Sequence, residues 1–183
     1  DDDTGPTSTV PGFLFDMNRF FQRLVSRFLH EHLPGHEVRE EQALFSLMRY
    51  APSENPRHRP SPRPRPDFEV RPASGPSVLL DAKYRDLWEH SLPREMLYQL
   101  SLYALSQPPG GWATILYPGA SPVARRARIE LRDTSRGWDR ASVMLQPIHL
   151  DELATLVADE TNRNAKQACG ALARAWLLGP GTG

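Results

Sequence analysis

Apolar residues at Phe20, Phe21, Leu24, Val25, Phe28 and Leu29 recur at the three- and four-residue spacing of a helix with one buried stripe. This spacing predicts a first helix over Phe13 to Leu33, with Asp16 as its candidate N-cap and Pro34-Gly35 as its stop. Val38 to Met48 reads as a strand of imperfect alternation. Asp67 to Arg71 and Val78 to Tyr84 read as two strands joined through Pro72, Gly75 and Pro76. The second is the more buried, because Val78-Leu79-Leu80 is apolar without alternation. Leu92 to Ser106 predicts a second helix with Pro93 in its first turn, followed by the breaker Pro108-Pro109-Gly110-Gly111. Trp112 to Tyr117 is a further apolar strand, stopped by Pro118-Gly119, and Ala127 to Arg132 and Val143 to Ile148 predict antiparallel edge strands, polar on one side. Residues 151–178 form a C-terminal helical region with Leu153, Leu156, Val157, Leu172, Trp176 and Leu177 as its apolar face. Gly170 disfavours the middle of that region by about 1 kcal/mol relative to alanine. No internal repeat is present, and the element order predicts an α/β fold with a mixed central sheet flanked by helices.

Length and composition narrow this picture. At 183 residues the chain is long enough for one domain with its own core, assigned to residues 12–183. The acidic opening Asp1-Asp2-Asp3 marks residues 1–11 as a solvated linker, as in a fragment of a longer protein cut before a folded module. Lysine plus arginine balance aspartate plus glutamate at 22 each, so attraction to a polyanion must come from local clustering. The single Cys169 excludes an intrachain disulfide and a cysteine-based zinc or iron–sulfur site; it suits a reducing cytoplasm and reads as a small apolar core residue. No apolar run is long enough to cross a bilayer, and the N-terminus lacks a signal-peptide pattern.

The candidate chemistry lies on the two central strands. Pro66-Asp67 precedes Asp81-Ala82-Lys83, and alternation sends Asp81 and Lys83 to one face and Ala82 to the other. Two carboxylates and an amine facing one another across a hairpin suit a divalent-metal site for phosphodiester hydrolysis, in which oxygen ligands hold a hard cation. Gln99 and Tyr103 are four apart, hence on one helical face, where they can orient a phosphate or a water; the bland alternative is an exposed Gln99 and a Tyr103 that caps the core. The proline-rich stretch Pro52 to Pro66 carries Arg57, Arg59, Arg63 and Arg65 and favours polyproline II or disorder. Its arginines can contact DNA backbone phosphate or decorate a solvated connector. His30 and His32 are two apart on a helix and diverge, which disfavours a joint metal site for the cluster they form with His36; Arg125, Arg126 and Arg128 read as charges on an exposed edge strand, and Trp88, Trp112, Trp138 and Trp176 as packing residues. There is no phosphate-binding glycine loop, nucleophile elbow or H-E-x-x-H motif.

Taken in order, Pro66-Asp67, Asp81-Ala82-Lys83 and Gln99-Leu100-Ser101-Leu102-Tyr103 resemble the PD-(D/E)xK nuclease superfamily with its QxxxY element. Phe13-Leu14-Phe15-Asp16-Met17-Asn18-Arg19-Phe20-Phe21, Leu80-Asp81-Ala82-Lys83-Tyr84-Arg85 and Leu116-Tyr117-Pro118 more closely resemble the McrC family of restriction systems, over about Gly12 to Pro118. The resemblance implies a restriction-endonuclease-like core that cuts DNA with Mg²⁺, or Mn²⁺ in its place. It further implies Asp67, Asp81 and the backbone carbonyl of Ala82 as metal ligands, Lys83 as the residue that positions or deprotonates the attacking water, and a McrB-like AAA+ GTPase motor that docks on a region N-terminal to this chain. One position departs from the family: Gln22 stands where the first helix usually carries a glutamate that reaches the metal. An amide oxygen can ligate a cation but brings no charge; Glu31, Glu40 and Glu41 are the acids that could substitute. Two readings therefore stay open: a Mg²⁺-dependent endonuclease domain, and a catalytically weakened nuclease-like module for DNA binding or assembly.

Overall fold

The computed structural model describes residues 16–159 and 162–180; the linker assigned to residues 1–11 and the helix start expected at Phe13 lie outside them. The first described element is helix α1 (Met17–His32), and Asp16 caps it as expected, its carboxylate accepting the Arg19 N–H at 3.1 Å. Strands β1 (His36–Glu40), β2 (Phe68–Pro72) and β3 (Val78–Ala82) follow, then helix α2 (Arg94–Leu105), with Pro93 at its N-cap. Strands β4 (Gly111–Pro118), β5 (Ala127–Arg132) and β6 (Asp139–Ile148) precede helices α3 (Leu150–Ala158) and α4 (Arg163–Trp176). The strands form one six-stranded mixed sheet in the order β1-β2-β3-β4-β6-β5. β3–β4 and β4–β6 run parallel and the other neighbours antiparallel. Parallel neighbours need a crossover, and α2 supplies it between β3 and β4.

Helices cover both faces, which explains why β3 is buried along its whole length. On one face Val25, Phe28 and Leu29 of α1 and Trp176 of α4 pack on Phe68, Leu80 and Ala82. On the other, Leu100 and Tyr103 of α2 pack with Leu79, Ile115 and Val143. Strand alternation therefore sends Asp81, like Leu79, to the α2 face, and Ala82 to the α1 face.

Several expectations are corrected. The strand expected over Val38 to Met48 stops at Glu40, because Glu41 turns into the left-handed region at φ 48°. Beyond it Leu44 folds onto the α2-side core and its N–H bonds the Pro64 carbonyl at 2.9 Å, while Phe45 is left 64% exposed. The proline–arginine stretch has a short 3-10 turn, Pro52–Glu54, then a second turn closed by the His58 N–H on the Asn55 carbonyl at 3.0 Å, and is pinned: the Asn55 side chain accepts the Arg59 N–H at 2.9 Å and donates to its carbonyl at 3.0 Å. β3 ends at Ala82, so Lys83 and Tyr84 lie just past the strand. β6 is no edge strand; it begins at Asp139 and sits between β4 and β5, with Ala141 to Leu145 buried on both faces. Arg125 and Arg126 precede the edge strand β5, and the Arg126 guanidinium donates to the carbonyls of Leu178 (2.7 Å) and Gly179 (2.6 Å), tying down the chain after α4. Trp112 and Trp176 pack in the core as expected, whereas Trp88 and Trp138 are exposed. Cys169 is buried on α4 as expected.

These assignments predict opposite outcomes for two phenylalanines. Phe28→Ala, in the α1–α4 core, should destabilise the protein by about 3–5 kcal/mol in urea unfolding. Phe45→Ala, which loses only the Arg63 guanidinium stacked 5.0 Å from its ring centre, should cost about 0.5–1 kcal/mol. Equal losses at both positions would place Phe45 in the core and contradict the short β1.

Candidate active site

The β2–β3 ladder pairs Phe68 with Leu80, so Asp67 and Asp81 occupy the next facing position, where Cβ atoms stand about 4.5–5.5 Å apart on one side of the sheet. Like charges placed so closely repel, and the backbone holds them there. The Asp67 N–H donates to Asp81 Oδ1 at 3.2 Å, and the Ala82 N–H donates to Asp67 Oδ2 at 2.8 Å. Lys83 sits at the strand exit, its N–H bonded to the Leu116 carbonyl of β4 at 3.0 Å. Its Nζ lies 3.4 Å from Asp67 Oδ2 and 4.0 Å from Asp81 Oδ2. The structure thus brings Asp67, Asp81, Ala82 and Lys83 together. Among the described residues, Asp67 Oδ1 accepts no hydrogen bond and Asp81 Oδ2 has only the Lys83 ion pair. One oxygen of each carboxylate is left for a ligand.

Electrostatics mark this pair as short of positive charge. Asp81 is 2% exposed against 16% for Asp67 and 23% for Lys83. Burial, and then the Asp67 charge, push the Asp81 carboxyl up to about 6, with Lys83 and the Asp67 N–H acting in the opposite direction. A hard dication beside both carboxylates would relieve that imbalance, and Mg²⁺ is commonly held by one or two carboxylates with water completing its shell. The donor set fits such an ion. No group of three or more His, Cys, Asp or Glu residues able to hold a metal occurs among the described residues.

α2 supplies the next layer. Tyr103 is buried on the Asp81 face, and its hydroxyl accepts a hydrogen bond from Gln99 Nε2 at 2.7 Å. Burial pushes the Tyr103 phenol up to about 12; the Gln99 bond opposes this and the charges of Asp81 and Asp67 add to it. Tyr103 therefore stays a neutral donor. Gln99 itself is exposed at the end of the pair.

Gln22 lies on α1, the helix packed on the Ala82 face of the sheet, one turn beyond Asn18; it is half-buried, and its side chain makes no hydrogen bond among the described residues. The candidate substitutes are engaged elsewhere: Glu31 pairs with Arg27 at 2.7 Å, and Glu40 accepts the Ser26 hydroxyl at 2.5 Å. Glu41 meets the site only through its backbone, its N–H bonding the Asp67 carbonyl at 3.0 Å. That bond and the buried Pro66 root the arginine-bearing loop at the site. Arg57, Arg59, Arg63 and Arg65 are all exposed, and none makes an ion pair among the described residues.

Two residues escaped the sequence reading. Asn18 accepts the Tyr84 N–H at 2.8 Å, joining α1 to the exit of β3, and only its place in the first-helix motif hinted at this. Glu69 is buried two residues after Asp67 on the same side of β2, where Arg71 neutralises it at 2.9 Å. The alternation of Phe68-Glu69-Val70-Arg71 was the available signal.

A family model described as McrBC 5-methylcytosine restriction system component matches residues 3–118. No curated protein sequence matches. Among solved structures the chain is similar to one in a refined half-complex from the tetradecameric assembly of Thermococcus gammatolerans McrB AAA+ hexamers with bound McrC. The identity is 27% and the TM-score 0.43, covering 72% of this chain and 28% of that one.

The burial of Asp81 has a consequence for stability. Because its carboxyl titrates higher in the folded than in the unfolded chain, the native state holds the extra proton, and stability falls as pH rises from about 4 to 6. Two units correspond to about 3 kcal/mol. In EDTA, Asp81→Asn should therefore unfold later than wild type at pH 8, by up to about 3 kcal/mol, and lose that advantage below pH 4. A variant less stable than wild type at pH 8 would show that the charged carboxylate is not the strained group.

Proposed function

The chain belongs to the McrBC 5-methylcytosine restriction system component family, and on that premise we propose that it is the metal-dependent DNA endonuclease domain of a McrC-like protein, built on a PD-(D/E)xK core. The observation that carries this reading is the triad of Asp67, Asp81 and Lys83 at one hairpin end, with the ammonium 3.4 and 4.0 Å from the two carboxylates. Asp67, Asp81 and the Ala82 carbonyl would hold Mg²⁺. When bound, the ion supplies Lewis-acid polarisation of the phosphate and a more acidic water. Lys83, already oriented by both carboxylates, steadies the attacking water and offsets charge that builds on the phosphate oxygens. Tyr103, kept neutral by burial and aligned by Gln99, offers its O–H to the same region.

Cleavage of foreign DNA in the cytoplasm, driven by a McrB-like AAA+ GTPase, completes the reading at the level of the whole protein. No described helix is long and apolar enough to cross a membrane. A second reading, a weakened nuclease-like module for DNA binding or assembly, is favoured by one observation: the described residues offer two clustered carboxylates and no third, with Gln22 standing on α1. Gln22→Glu separates the two. If a missing charge limits the site, Mn²⁺ binding should tighten by about 1–3 kcal/mol and cleavage should rise; a flat titration shows that position 22 lies outside the metal's reach.

Plasmid cleavage with Mg²⁺ and an AAA+ partner, beside calorimetric Mn²⁺ titration, tests the main reading. Asp67→Ala and Asp81→Ala should abolish both metal binding and cleavage. Lys83→Ala should bind Mn²⁺ as well as wild type, or slightly better since a like charge is gone, yet fail to cleave. Unchanged metal affinity in both aspartate variants would refute the site. Neutralising Arg57, Arg59, Arg63 and Arg65 together should leave the metal titration untouched. It should flatten the log–log salt dependence of duplex binding by up to about 0.9 per lost phosphate contact; an unaltered slope reduces the loop to a connector.

A further inference from the structure

A cavity of about 500 Å³ opens beside Lys83, lined by Asn18, Lys83, Tyr84, Arg85, His90 and Met96. Its polar lining is all donor or potential donor. The Asn18 carboxamide oxygen is spent on the Tyr84 N–H, which leaves its NH₂ for a ligand. The Arg85 N–H closes a tight turn onto the Lys83 carbonyl at 2.9 Å, which turns Arg85 off the strand exit. The Arg85 guanidinium makes no hydrogen bond or ion pair among the described residues; Arg85 also lines a neighbouring cavity together with Asp86 and Asp151. Asp86 Oδ1 accepts the N–H groups of Trp88 at 2.9 Å and Glu89 at 3.3 Å, fixing the loop that carries His90. No carboxylate lines the cavity beside Lys83.

We propose that this cavity is a second phosphate subsite, holding a DNA backbone phosphate adjacent to the one cut at Asp67 and Asp81. The inference rests on the endonuclease reading and names residues that reading does not use. Arg85 supplies a planar donor fork suited to two phosphate oxygens. Asn18 and His90 complete the donor set, and Tyr84 and Met96 form an apolar wall for a deoxyribose. Lys83 belongs to both subsites and spaces them, so a strand whose phosphate sits in the cavity presents the neighbouring linkage to the carboxylates. Arg85 is thereby a positioning residue.

The test is fluorescence anisotropy with a labelled duplex in EDTA, across a salt series, for the whole chain and for Arg85→Ala, Arg85→Lys and His90→Ala. Arg85→Ala should weaken binding several-fold and reduce the salt slope by about 0.9, one phosphate contact. Arg85→Lys should restore the slope but only part of the affinity, because an ammonium lacks the fork. His90→Ala at pH 8 should weaken binding without changing the slope. A second series of duplexes, each with one phosphate replaced by a neutral methylphosphonate, should reveal a position that costs wild type affinity and to which Arg85→Ala is insensitive. Wild-type slope and the same methylphosphonate profile in Arg85→Ala would overturn the subsite while leaving the nuclease reading standing. Failure of the wild-type chain to bind duplex at all would overturn the subsite, and the nuclease reading would then stand or fall on the metal-dependent cleavage of plasmid.

Discussion

Two backbone hydrogen bonds, from the Asp67 N–H to Asp81 and from the Ala82 N–H to Asp67, tie a pair of facing carboxylates to the end of the β2–β3 ladder. Everything else in the site is arranged around that pair. The ladder sets their spacing, since Asp67 and Asp81 continue a register that pairs Phe68 with Leu80. Burial of β3 between two helical layers keeps Asp81 away from water, and the parallel neighbour β4 holds the Lys83 backbone. The arrangement is unfavourable in isolation, because two acids share one side of a buried hairpin with a single ammionium between them. Such strain persists where the surrounding core over-determines it, and here Leu79, Leu100 and Ile115 do so from the α2 side.

The two faces of the sheet make different contributions. From one, α2 brings the Gln99–Tyr103 pair toward the carboxylates. From the other, α1 reaches the strand exit through Asn18 on the Tyr84 N–H and Phe21, whose ring meets that of Tyr84 edge-on at 6.0 Å. The site lies at the carboxyl end of β3, beside parallel β4, the place where open α/β sheets commonly bind ligands. Position in the fold and chemistry of the residues point to the same region.

Much of this was legible in the residue pattern. The helical stripe of α1 with its Asp16 cap, the hairpin strands, α2 after Pro93 and the edge strand β5 follow local rules of spacing and punctuation. What those rules miss are choices made by tertiary contact. β1 ends at Glu40 because Glu41 takes a left-handed backbone and bonds the Asp67 carbonyl, a pairing that depends on a residue far along the chain. β6 lies inside the sheet because the chain places β5 at the edge first and β6 then returns between it and β4, which its own alternation does not encode. Trp88 and Trp138 are exposed despite their size. Within the site, Asp67 and Asp81 were readable because they continue the strand register onto one side, and Lys83 because it follows two residues after Asp81 at the strand exit. Asn18 and Arg85 were not, since their meaning arises where α1, the exit of β3 and the loop before α2 converge.

If the Asp67–Asp81 pair holds a cation, anomalous diffraction from Mn²⁺-soaked crystals should show one dominant peak within coordination distance of Asp67 Oδ1, Asp81 Oδ2 and the Ala82 carbonyl, with water filling the remaining positions. A peak elsewhere, such as at Asp151 and Glu152, with none between Asp67 and Asp81, would contradict that assignment.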